Sequence, residues 1–162
     1  MRTLQFWALP FLLFFLMSCG NEGTQTESTT TETTSTTSPP PASQVKASER
    51  IDLENKGVGP VTSVDLAPEI DRKLAVQGKE IFDMMCSACH KPDTKFIGPA
   101  PKGILDRRSP EWVMNMILNP DVMVQEDPLA RDLLMEFNGS PMANQNLSEE
   151  EARAILEYFR TL

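Results

Sequence analysis

One pentapeptide constrains this chain more than any other feature: Cys86-Ser87-Ala88-Cys89-His90, around the only histidine among 162 residues. The spacing is that of covalent haem attachment. Two cysteines three residues apart on a helical turn can form thioethers to the two vinyl groups of one haem. The histidine directly after them can then reach the iron as its proximal ligand. A redox C-x-x-C disulfide of thioredoxin type expects a βαβ setting, and nothing upstream reads as a strand. Zinc needs further Cys or His ligands, and none remain.

The rest of the chain divides by composition. Met1-Arg2 precedes an apolar run from Leu4 to Met17, interrupted by Gln5. That is short for a spanning helix but suits a secretory signal. It ends Leu16-Met17-Ser18-Cys19, which resembles a bacterial lipobox, so residues 1–18 are expected to be cleaved and Cys19 lipidated. The competing reading is an ordinary signal peptide with a chance cysteine. Between Thr24 and Ser38, twelve of fifteen residues are Thr or Ser, and Pro39-Pro40-Pro41 follows. Such a segment has little to bury against the entropy of ordering, so residues 19–64 are expected to form a disordered linker. It serves as a leash between partners or as a plain spacer. Whether Val58, Val61 and Val64 dock on the domain stays open at this level. Residues 65–162 are left for a small packed domain, too short for a large α/β enzyme or barrel. The net charge of −8 argues against a nucleic-acid partner.

Within residues 65–162 the periodicity is helical, so an all-α domain is expected. Ile70, Leu74, Ile81, Phe82 and Met85 space a helix over 68–85, with Gly78 inside it as a place for another backbone to approach. The candidate partner is the last helix, 148–160, opened by a Ser148/Glu151 capping box and striped by Ala152, Ile155, Leu156 and Phe159. Ser109-Pro110 starts another helix, to Leu118.

Gly78, Phe82 and the haem motif together resemble class I cytochromes c. The resemblance covers residues 68–162. It implies N- and C-terminal helices crossing at Gly78 around one covalent haem c, with Phe82 packed on Tyr158. Gly98-Pro99 is similar to the family's Gly-Pro, whose proline carbonyl accepts a hydrogen bond from the proximal histidine, here His90.

The sixth iron ligand is sought among the methionines, since no second histidine exists. Met84 and Met85 lie too near the attachment site. Met114, Met116 and Met135 read as core, and Met123 as a weak contender in a loop. Met142 follows Pro141 in an irregular stretch before the last helix, and the family presents its axial methionine on a Pro-Met loop of this kind. Asn144 or Gln145 could donate near its sulfur. The alternative is a core methionine and an open or weakly ligated iron.

His90/Met142 ligation leaves no vacant site on iron, which suits a one-electron carrier rather than an enzyme. The haem is expected among Ile81, Phe82, Ile97, Leu105, Trp112 and Ile117. From Asp71 to Arg108 eight basic residues face five acidic ones, whereas from Ser109 to Leu162 three face ten. Such a dipole can steer a redox partner, though ordinary solvated charge explains it equally well.

The expected function is a monomeric, lipid-anchored electron shuttle facing the bacterial periplasm, with the outer membrane favoured over the inner. It would run from a quinol-oxidising complex to a terminal oxidase or reductase. The run from Arg107 to Pro120 resembles small lipoprotein cytochromes of Bacteroidetes-type bacteria, which implies nitrous oxide reductase as one destination. Two other readings stand: a haem sensor or peroxidase-like enzyme with an open sixth position, and a non-catalytic haem subunit of a larger complex.

Overall fold

The computed structural model describes residues 45–162. The expected signal segment, Cys19 and the Thr/Ser-rich stretch lie outside the described residues. Five α-helices follow one another: α1 (Arg72–Met85), α2 (Pro110–Leu118), α3 (Pro120–Glu126), α4 (Pro128–Glu136) and α5 (Glu149–Phe159). No strand occurs among the described residues; one isolated bridge pairs Asp52 with Arg108. The all-α expectation holds.

The crossing of α1 and α5 is the most extensive helix–helix contact among the described residues. A Cβ on Gly78 would overlap the backbone of Ala154 and Ile155, so only glycine admits this approach. One turn further, Phe82 packs on Tyr158 with ring centroids 5.4 Å apart and on Phe159 at 5.9 Å. Phe82, Ile155 and Leu156 are almost wholly buried. α5 opens on the expected capping box: Ser148 N–H donates to Glu151 at 2.8 Å, and Glu151 N–H donates to the Ser148 hydroxyl at 3.2 Å. α1 begins at Arg72, four residues later than the periodicity suggests. Asp71 caps it by accepting from Leu74 N–H, while Arg160, the C-cap of α5, donates to the carbonyls of Ala67 and Pro68 and holds that backbone out of the helix.

α2, α3 and α4 share one device. Each starts with proline, at Pro110, Pro120 and Pro128, directly after Ser109, Asn119 and Asp127. Proline fits the first helical position and disfavours helix in the residue before it. The prolines therefore cut the stretch from 110 to 136 into three short helices, α3 packing on both α2 and α4.

The expected linker boundary at residue 64 is wrong for residues 45–64, which pack on the domain. Ala47 and Val61 are buried, and Val58 and Val64 lie against the same core as Trp112 and Ile117. The backbone of this strap is bonded by polar side chains on α2, which explains why a polar, irregular segment stays ordered. Glu111 accepts from Val64 N–H at 3.2 Å. Asn115 accepts from Val61 N–H at 3.0 Å and donates to the carbonyls of Lys56 and Val61. Asn119 donates to Val58 O, and Ser109 to Asn55 O. Glu111, Asn115 and Asn119 are four residues apart, so they form one polar row along the helix. Met123 is helical rather than in a loop; it is fully buried in α3, with its sulfur accepting from Val58 N–H.

Burial pushes the Glu111 carboxyl up, but hydrogen bonds from backbone N–H groups and Lys56 outweigh it and hold the group below its ordinary value. A carboxyl so depressed stabilises the fold at pH above its unfolded value, and that contribution is lost as pH falls through the folded value. We therefore expect Glu111→Gln to reduce stability at neutral pH and to lessen the loss between pH 5 and 3, as read from denaturation midpoints. Asn115→Ala leaves strap groups unpaired in a buried site and should cost about 1–3 kcal/mol by chemical denaturation. Gly78→Ala forces α1 and α5 apart and should cost about as much.

Candidate functional site

The end of α1 delivers the haem motif. Cys86 caps the helix, and its N–H still donates to Phe82 O at 2.9 Å. Beyond the cap the chain makes one more helical turn, with Cys89 and His90 N–H groups both donating to Cys86 O. The two cysteines and His90 are thus held on a single turn rigidly continuous with α1. Both thiols are free. Burial pushes the Cys86 thiol up to about 11, and the neighbouring Cys89 adds to the effect. That is the reverse of the low thiol pKa of a redox-active pair, and among the described residues no strand supplies a thioredoxin-like setting.

His90 is oriented from behind. Its Nδ1 lies 2.8 Å from Pro99 O. A carbonyl oxygen only accepts, so Nδ1 carries the proton and Nε2 is left with its lone pair for a metal. Gly98 permits this arrangement, because a Cβ there would overlap the imidazole ring. Gly98 N–H also donates to Cys89 O at 2.9 Å, tying the returning loop to the motif.

A cavity of about 780 Å³ opens beside this turn, and its wall includes Cys86, Cys89, His90, Pro99, Trp112, Met116 and Met142. A smaller, almost wholly apolar space of about 90 Å³ shares Cys86, His90 and Met142 and adds Phe82, Ile117 and Ile155. Of the residues expected around the haem, Ile97 and Trp112 line the larger space, and Phe82 and Ile117 the smaller. Ile81 and Leu105 instead pack against the core.

Met142 is half-buried in the segment between α4 and α5. Left-handed backbone at Asn138 and Gly139 ends α4, and a third such residue, Asn146, precedes α5. Asn144 donates to Leu118 O at 3.3 Å, which fastens this segment to the end of α2. Gln145 donates to Ala143 O at 3.3 Å. Of the other methionines, Met114 is buried as expected and Met116 sits on the cavity wall, but Met135 is 71% exposed and not core.

The donor set fits a covalently held iron porphyrin. Two free thiols, one oriented imidazole and one thioether line the same apolar space, and no group of three or more His, Cys, Asp or Glu among the described residues could hold a metal ion directly. Arg107 and Arg108 also line it, and each has a buried Nε–H without a protein partner, suited to the acidic side chains of a porphyrin. Sequence reasoning missed one part of the wall, Lys46, Ser48 and Glu49 of the strap. Their partners, Arg108 and Glu136, lie some 60 to 90 residues on, and no local pattern in the sequence marked them.

The cytochrome c family profile matches residues 75–162. Among solved structures, a cytochrome c from Rhodothermus marinus is 44% identical, over 72% of this chain and 92% of its own, with a TM-score of 0.62. An engineered cytochrome c from the same organism is 43% identical over 72% and 93%, also at 0.62, and a third structure shows that engineered protein bound to a carbene intermediate, at 0.59. No curated protein sequence matches the chain.

Replacing Gly98 by valine should displace the His90 ring. The expected result is weaker axial ligation, seen as a shifted Soret band and a lower thermal midpoint in the holoprotein.

Proposed function

This chain belongs to the cytochrome c family and is a haem-based electron carrier with one covalently bound haem c, and from that premise we propose its ligands, its anchorage and its place in a respiratory chain. Cys86 and Cys89 would hold the haem through thioethers, and His90 and Met142 would supply its two iron ligands. The observation that carries this reading is the convergence of His90, turned by Pro99, and Met142 on one cavity that also holds both cysteines. When bound, the haem supplies one reversible electron at its iron.

The chain's own residues set the conditions for that exchange. Pro99 fixes the His90 ring, so the ligand keeps its place in both oxidation states. Trp112, Phe82 and Ile117 exclude water, which favours the less charged ferrous state. The thioether of Met142 favours it further. With His90 and Met142 both on iron, no open position would remain, and the exposed Cys89 would mark the side of the site open to a redox partner.

Cys19 is the proposed lipid attachment point, which would hold the domain at the membrane on the periplasmic side, with the outer membrane favoured. Among the described residues no helix is long and apolar enough to cross a membrane. The proposed donor is a quinol-oxidising complex and the acceptor a terminal oxidase or reductase, with nitrous oxide reductase as one such acceptor. The basic run around the motif supports electrostatic steering of these partners.

Met142→Ala tests the ligand set. The ferric variant should lose the weak far-red band of thioether-bound iron, and its ferrous form should take up carbon monoxide. An unchanged spectrum would remove Met142 from the site. Electron transfer to an acidic partner should slow as salt shortens the screening length to about 10 Å at 0.1 M; a rate indifferent to salt would dismiss steering. Labelling with a radioactive fatty acid should mark the wild-type chain and spare Cys19→Ala.

A further inference from the structure

The strap does more than cover the outside of the core. At its start it runs along the haem cavity, where Lys46, Ser48 and Glu49 form part of the wall. What seats it there is Arg108, which is 1% exposed. The Arg108 guanidinium donates to Ala47 O at 2.5 Å, to Arg107 O at 2.8 Å and to Arg50 O. It also lies over the Trp112 ring, 5.3 Å from the centroid. Two further latches join the strap to α4. Ser48 N–H and hydroxyl both donate to Glu136, at 2.8 and 2.6 Å, and Arg50 pairs with Asp132 at 2.9 Å. Asp52 N–H donates to Arg107 O at 2.9 Å and closes the segment.

A buried guanidinium is costly, and this one has no carboxylate of the chain in direct contact. Burial and the neighbouring Arg107 both push its pKa down, with Arg50 adding and Asp52 and Asp127 opposing. Folding has nevertheless placed a positive charge on the wall of the redox site and roofed it with the strap. A fixed positive charge beside an iron centre disfavours the ferric state, which carries one charge more than the ferrous. Exclusion of water works in the same direction.

We propose that residues 45–52, seated by Arg108, are a wall of the haem site that sets its reduction potential, with Arg108 as the positioning residue. The inference rests on the haem occupying this cavity but not on the identity of its sixth ligand. It assigns to this segment a role that the residues matched by the family profile, 75–162, do not contain.

The test uses the full-length holoprotein. Arg108→Met removes the charge and the bonds to the strap. A double variant, Ser48→Ala with Arg50→Ala, loosens the strap while leaving the Arg108 charge in place, and it carries the test if Arg108→Met fails to fold. The readouts are the midpoint potential, the far-red ligand band and the rate of proteolysis within residues 45–52. Both variants should be cut faster and should have lower potentials. Arg108→Met should show the larger fall, about tenfold in the ferrous–ferric equilibrium, or about 59 mV for one electron. The ligand band should persist in both. Faster cutting with an unmoved potential would reduce the strap to a structural cover and overturn the proposal, as would a strap that stays protected in both variants. A far-red band missing already in the wild type would refute Met142 ligation and leave this comparison of potentials intact.

Discussion

The close approach of α1 and α5 at Gly78 is the constraint from which the rest of the molecule follows. With no side chain at that position, the backbone of Ala154 and Ile155 fits against α1, and Phe82 reaches Tyr158 and Phe159 one turn later. α1 is thereby immobilised down to its last turn. The haem motif continues that turn, through hydrogen bonds from Cys89 and His90 to Cys86 O. The orientation of two thiols and one imidazole is therefore inherited from a helix crossing on the other side of Phe82. A rigid element positions such groups more sharply than a free loop could.

A second layer of support acts on the two proposed ligands, His90 and Met142. His90 is turned by one carbonyl, that of Pro99, and Gly98 leaves room for the ring. Met142 depends on a different economy of structure. Left-handed residues at Asn138 and Gly139 stop α4, and Asn144 binds the end of α2, so an irregular stretch still reaches a defined place beside the cavity. The two sides of the site are thus built differently, one as an extension of a helix and the other as a loop hung between helix ends.

The strap shows how polar side chains can order a segment with few apolar residues. Glu111, Asn115 and Asn119 present a row of hydrogen-bonding groups to its backbone, and Arg108 does the same for its first residues. Each partner would be costly to bury alone; together they satisfy one another. This explains why α2, the most apolar of the helices, carries buried Glu and Asn.

Much of the site was legible in the residues because local chemistry dictates it. The haem motif, the Ser148 capping box and Ser109-Pro110 are short patterns whose geometry is settled within a few residues, and the roles of Gly98 and Pro99 came from the resemblance to class I cytochromes c. Tyr158 was matched with Phe82 through the resemblance to class I cytochromes c, and the structure packs the two rings together. Legibility failed where partners are far apart in sequence. Residues 45–64 look like linker until α2 supplies their hydrogen bonds, some 50 residues on. Met123 and Met135 exchanged their expected places, since burial depends on which face of a short helix meets the core. By itself the sequence determined the covalent attachment and the helical class, both encoded in local spacing. Only the tertiary structure decided that the strap forms part of the redox site's wall and that Met116 and Met142 reach it, because those are contacts between distant segments, chosen by packing and by which buried polar groups can satisfy one another.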